Sequence, residues 1–272
     1  MTIAALPADG HARPLDLRLA DNVKYGTLCD AKNHYFHRMG CAPIQDESEF
    51  CGACHQWSRP LPRGAELAIF TEYEEWLASP HRASGVSCQD CHMPGTPGEI
   101  AIGAGSRTRV PHHGSTDQLR KMALSLDLSA TRAGDGVRVT ATIKNQGAGH
   151  RVPTGLPGRQ LLLRVRTLDG EGRPADSAER AYSRVLVDED GHEAPFYLAA
   201  RSAADTRIGP GESRAEIFEF ASGAAKEVSA DLVWRALSPA LAERFPTEQH
   251  EQVLAQARIA VPSRSMRTGG QP

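Results

Sequence analysis

No apolar run in the chain approaches the ~18 residues that a membrane-crossing helix needs. An excess of one charge is lacking as well. The chain has 31 Lys and Arg against 33 Asp and Glu, for a formal net charge of -2. That balance does not argue for nucleic acid or an anionic membrane surface as the main partner. Six cysteines in 272 residues are too sparse for a disulfide scaffold. The catalytic signatures G-x-S-x-G, P-loop and H-E-x-x-H are missing. The pairs Gly103/Gly105 and Gly147/Gly149 lack the third glycine and the βαβ setting of a dinucleotide site. No export signal is visible either. Ile3 to Leu6 is the only apolar stretch before Pro7, whereas an h-region runs to roughly 7–15 residues.

The chain is long enough for two modest domains, at roughly 100 to 200 residues each. Its character changes near residue 115. All six cysteines and eight of the eleven histidines precede Gly114. Residues 1–115 are rich in Pro and Gly and have little sustained periodicity, so a loop-rich, mainly α region is expected. Asp30 is a candidate cap for a helix through Ala31–His37. Thr71 and Glu74 form a T-x-x-E box that opens a helix over Glu72–Ser79, closed by Pro80. Residues 93–111 read as an extended loop.

Residues 116–262 read as strands. Alternation runs through Ala123–Leu128, Val137–Ile143 and Gln160–Thr167, then Ser183–Val187, Glu216–Phe220, Val228–Trp234 and Ala257–Val261. Gly-Asp-Gly, Asp-Gly and Pro-Gly turns separate the runs. This pattern predicts an antiparallel, seven-strand-like, Ig-like β-sandwich, with a helix around Pro239–Ala257. The tail, 263–272, is expected to be disordered. The fold class is therefore mixed: a loop-rich, mainly α first region and then the sandwich.

Four of the cysteines form two C-x-x-C pairs, Cys51/Cys54 and Cys88/Cys91, separated by 33 residues. Two such pairs can close one tetrahedral zinc site. His55 and His92, however, directly follow the second cysteine each time. Histidine is roughly 4% of the chain, so the double coincidence arises by chance about once in several hundred cases. C-x-x-C-H also has a mechanism. The two sulfurs bond the vinyl groups of a haem, and the adjacent imidazole becomes its proximal iron ligand. Two haem c groups are expected, held by Cys51, Cys54 and His55 and by Cys88, Cys91 and His92. Two macrocycles also supply the apolar surface that residues 1–115 lack.

Each iron takes a second axial ligand unless the position is open for chemistry, and a second His keeps the potential lower than a Met does. His37, His112, His113 and His150 are the distal candidates, with His34 and His81 behind them. His34 and His37 are three apart and would share a helical face. His81 has an alternative role as a helix cap. Met39 reads as packing, and Met93 is poorly placed for the haem of its neighbour His92. His150 sits in Gly147–Gly155, a Gly- and Pro-rich break between strands, from which the sandwich would lend an imidazole to the haem region. Cys29 and Cys41 are open to a disulfide or to two free thiols.

The stretches CGACH, TEYEEW, GVSCQDCHMP and GAGHRVPTG together resemble the multihaem c-type cytochromes related to the cytochrome c554 group, over residues 22–236. The resemblance implies a haem cluster followed by a small β-sandwich, a periplasmic or otherwise extracytoplasmic location, and bis-histidine ligation. It strengthens His150 and the His112/His113 pair as distal ligands. Relatives usually begin with a signal peptide and carry further C-x-x-C-H motifs upstream, so the chain reads as a truncated or split frame. Electron transfer is the leading expectation, with no catalytic residue assigned. The partners would be redox proteins and further haem-bearing segments or subunits. The alternatives are a haem-based reductase with one open iron, and an interaction protein that binds zinc through its four C-x-x-C cysteines.

Overall fold

The computed structural model describes residues 20–99, 102–103, 105–109, 116–221, 223–245 and 250–263. The chain divides into two compact units. The first holds the residues up to Arg120 together with Gly149–Leu156, and the second holds Lys121–Ala148 and the residues from Pro157 onward. His112, His113 and the tail from residue 264 lie outside the described residues.

The first unit is built of short elements. Strands β1 (Val23–Gly26) and β2 (Arg38–Cys41) pair in parallel, and a Cys29–Cys41 disulfide joins the end of β2 to the loop after β1. Helix α1 (Ser48–His55) follows, then the hairpin β3 (Trp57–Pro60) and β4 (Glu66–Phe70). Three short helices come next: α2 (Glu72–Leu77), α3 (Pro80–Ala83) and α4 (Cys88–His92). Strands β5 (Thr96–Glu99) and β6 (Ser106–Arg109) form an antiparallel pair, and helix α5 (Asp117–Ala123) leads out.

Three local expectations are corrected here. The helix expected over Ala31–His37 is absent. The chain instead turns back on itself, with His34 and His37 exchanging backbone hydrogen bonds of 2.9 and 3.1 Å. The Asn33 side chain also accepts the Met39 N–H at 2.8 Å, a local bond that competes with helical pairing. The extended loop expected over 93–111 contains the β5–β6 pair. Helix α2 forms where expected, but Thr71 does not cap its backbone. The Thr71 hydroxyl donates instead to the Glu75 carboxylate at 2.7 Å. The capping box in this region is Ser87/Asp90, at the start of α4.

The second unit is antiparallel β, as the alternation predicts. Eight strands are present among the described residues: β7 (Leu124–Ala133), β8 (Gly136–Asn145), β9 (Gln160–Leu168), β10 (Pro174–Val187), β11 (Arg201–Asp205), β12 (Ser213–Phe220), β13 (Glu227–Arg235) and β14 (Glu251–Ala260). Five of them form one sheet in the order β11-β10-β9-β13-β14, and three form a second in the order β12-β8-β7. Leu161, Leu162 and Leu163 of central β9 are fully buried. Consecutive burial means that both faces of that strand are covered. Val137, Val139, Ala141 and Ile143 of β8 are buried on alternate positions, one face inward. The sheets touch through side chains: Tyr182 of β10 donates to Glu216 of β12 at 3.0 Å. The helix expected to reach Ala257 is only α6 (Pro239–Arg244), because pairing with β13 draws Glu251–Ala260 into an edge strand.

Candidate haem-binding site

A C-x-x-C-H run on a helix puts its two thiols and its imidazole at i, i+3 and i+4, on one face. Both runs are helical: Cys51, Cys54 and His55 end α1, and Cys88, Cys91 and His92 make up most of α4. All four thiols are free. The two helices are fastened to each other. The buried Ser48 hydroxyl accepts the Cys88 N–H at 3.0 Å, and the Gln89 side chain donates to the carbonyls of Gln45 and Glu47 at 3.0 and 2.8 Å.

This fastening brings the first cysteine of each motif together. The Cys51 thiol hydrogen-bonds Cys88, which holds the Cys51 proton on and, with the Ser48 hydroxyl, brings the Cys88 thiol down to about 7. Burial raises Cys91. The four motif cysteines do not converge as a zinc site would require. Among the described residues only Asp188, Asp190 and His192 offer three ligand atoms within 4.8 Å of one another, and they sit on a turn with Asp190 and His192 exposed.

Helix α2 supplies the neighbouring wall through two i, i+3 stripes. Tyr73 and Trp76 are buried. The Tyr73 ring lies so close to Gly52 of α1 that a Cβ there would stand 2.8 Å from it. The Trp76 indole donates to the Val86 carbonyl at 2.9 Å. Glu72 and Glu75 form the second stripe and meet the segment Gly149–Leu156, which belongs to this unit although it lies between β8 and β9 in the chain.

That segment carries His150. Its ring centroid is 6.2 Å from that of His92, with 28° between the planes. Two imidazoles bound to one metal from opposite sides give a similar figure: two bonds of ~2 Å, plus about 1 Å from each nitrogen to its ring centre. His150 Nδ1 lies 3.1 Å from the Arg151 carbonyl. A carbonyl only accepts, so Nδ1 is the protonated nitrogen and Nε2 carries the lone pair. Burial lowers the pKa of this imidazole and favours the neutral, ligating form.

The other candidates are dispersed. His34 and His37 face each other across their turn, 5.5 Å between ring centroids. His81 opens α3 rather than capping a helix end, and its buried Nδ1 has no hydrogen-bond partner. Glu72 Oε2 and Gln89 Oε1 are likewise buried and unpartnered. Unpartnered buried polar atoms are rare in finished structures, and three beside the C-x-x-C-H helices and their neighbours suit a region completed by a bound group. The donor set fits haem c: paired thiols with an adjacent imidazole, twice, and a facing imidazole at axial distance. Ser48, Gln89, Glu72 and Glu75 were not singled out from the sequence. Their signals are faint, a serine three residues before a motif cysteine and an acidic i, i+3 pair.

The family model for cytochrome c552 matches residues 65–102, a span that includes α2 and the second motif. No curated protein matches the chain. Among solved structures, a penta-heme cytochrome c552 from Thermochromatium tepidum is similar, with 25% sequence identity and a TM-score of 0.65. The match covers 83% of this chain and 59% of that one, so the present chain spans well under two thirds of its length. Motifs, fold and these likenesses make the chain similar to the multihaem c-type cytochromes. Within that class, the similarity found is to cytochrome c552.

Proposed function

We propose that this chain is an extracytoplasmic, periplasmic electron carrier, or a subunit of one, that holds two haem c groups. When bound, each haem takes up and gives back one electron. The protein's part is attachment, ligation and spacing. Cys51 and Cys54 tether one group and Cys88 and Cys91 the other, with His55 and His92 as proximal ligands. His150 completes the second iron, and a His-His pair keeps its potential low. Ser48 and Gln89 hold α1 against α4, so the two attachment points stay adjacent while electrons pass. The first unit is taken as the haem domain, and the two sheets of the second as an Ig-like sandwich that docks redox proteins or further haem-bearing segments. No helix among the described residues is long and apolar enough to cross a membrane.

The observation that carries this reading is the 6.2 Å separation of His92 and His150 beside two C-x-x-C-H helices in contact. The test is expression with export into a host that attaches haem c. The intact mass should rise by two haems, and the reduced protein should show the split absorption of c-type haem. Replacing His150 by alanine should leave the two-haem mass increment unchanged and open one iron to carbon monoxide. Protein recovered with zinc and no haem would overturn the proposal.

A further inference from the structure

His150 sits on an eight-residue segment without regular secondary structure, and an axial ligand must be held to within a fraction of an ångström. Two carboxylates of α2 do the holding. Glu72 Oε1 accepts the Thr154 hydroxyl at 2.7 Å and the Gly155 N–H at 2.9 Å. Glu75 Oε2 accepts the N–H of Arg151, the residue next to His150, at 2.8 Å. The Thr71 hydroxyl secures the other oxygen of Glu75 at 2.7 Å. On the opposite side of His150, Gly149 lies against Trp76, where a Cβ would stand 3.0 Å from the indole. The segment is thus pinned before, directly after and well after the imidazole, always by α2.

A plainer explanation exists for acidic residues in the first turn of a helix, namely compensation of the helix dipole. It accounts for Glu74, which faces Gln56. It does not account for Glu75, whose side chain is only 11% exposed. A carboxylate is buried at a cost unless it is well hydrogen-bonded, and both Glu72 and Glu75 accept hydrogen bonds from this one segment. We propose that Glu72 and Glu75 are positioning residues that hold His150 at the iron above His92. This rests on the reading of His150 as the distal ligand.

The test compares alanine with glutamine at both positions in the haem-loaded protein. A glutamine Oε1 can still accept the same N–H and O–H donors, while alanine cannot. Glu72→Ala with Glu75→Ala should keep both haems attached by mass but make about half of the haem high-spin and open to carbon monoxide in the reduced state. Glu72→Gln with Glu75→Gln should stay low-spin. Thr154→Val, which removes a donor from the segment and leaves α2 intact, should raise carbon monoxide binding in the same direction. Alanine variants that remain fully low-spin with both haems loaded would overturn the proposal. So would glutamine variants that convert as fully as alanine, because charge and not position would then be acting. His150→Ala, run alongside, separates the two layers. If it leaves both irons low-spin, the ligand assignment itself falls.

Discussion

A thiol flanked by two hydrogen-bond donors gives up its proton more readily than one in water. Cys88 is flanked in this way by Cys51 and Ser48, and its pKa falls to about 7 from the ordinary 9.0, against the opposing effects of burial and of Glu49. Cys51, as the donor, moves the other way. Because the thiolate is the reactive form, haem-free reduced protein at pH 7 should be alkylated fastest at Cys88. Ser48→Ala removes one donor and should raise the Cys88 pKa. One pK unit corresponds to tenfold in thiolate, so a slowing of about 3- to 10-fold is expected at pH 7, shrinking as the pH approaches 9. Peptide mapping of timed iodoacetamide reactions measures this. Equal rates at all four motif cysteines would contradict it.

At the scale of elements, α1 and α2 meet glycine to tyrosine. A methyl group on Gly52 would stand 2.8 Å from the Tyr73 ring at the carbon nearest its backbone, where the side chain has little freedom to swing away. Gly52→Ala should therefore destabilise the haem-loaded protein by about 1–3 kcal/mol, the usual cost of overpacking. Gly26→Ala, with open space at its Cβ, is the control in thermal unfolding. Matching midpoints for the two variants would rule the packing argument out. The same elements reveal what the sequence makes legible. C-x-x-C-H is visible because its chemistry needs fixed residues at fixed spacing, and strand β8 is visible because alternation is its burial. Ala31–His37 misleads, because a plausible cap precedes a run whose large apolar residues, Tyr35 and Phe36, stay exposed. Glu251–Ala260 misleads in the other direction. Leu, Ala and Gln favour helix locally, but β13 offers a full ladder of partners, and tertiary pairing overrides weak propensity. Ser87/Asp90 was as readable a capping box as Thr71/Glu74, yet only the former forms. In the latter, Gln56 and Glu75 supply competing side-chain partners.

For the whole molecule, near-neutral charge at pH 7 ends abruptly in acid. As the 33 Asp and Glu protonate, the 31 Lys and Arg remain positive. Carboxylates tied to arginine resist that change longest. One such tie runs across the five-stranded sheet. Glu251 of β14 accepts from Arg164 of β9 at 2.7 and 2.9 Å and from Arg235 of β13 at 2.9 Å, and Arg164 also reaches Glu179 of β10 at 2.6 Å. Arg164, then Arg235, holds the Glu251 carboxyl down at about 2, from the ordinary 4.5. A carboxyl whose pKa is depressed on folding adds stability that is fully present above its unfolded value and is lost as the pH falls through its folded value. The window therefore runs from about 4.5 down to about 2. Glu251 is 35% exposed, and solvent screening limits such a network to about 1 kcal/mol. Glu251→Gln should lower the unfolding free energy in urea by that amount at pH 7, and by less at each step below pH 4.5, until wild type and variant converge near pH 2. A difference that stayed constant from pH 7 to pH 2.5 would mean that packing, and not the charge of Glu251, joins β9, β13 and β14.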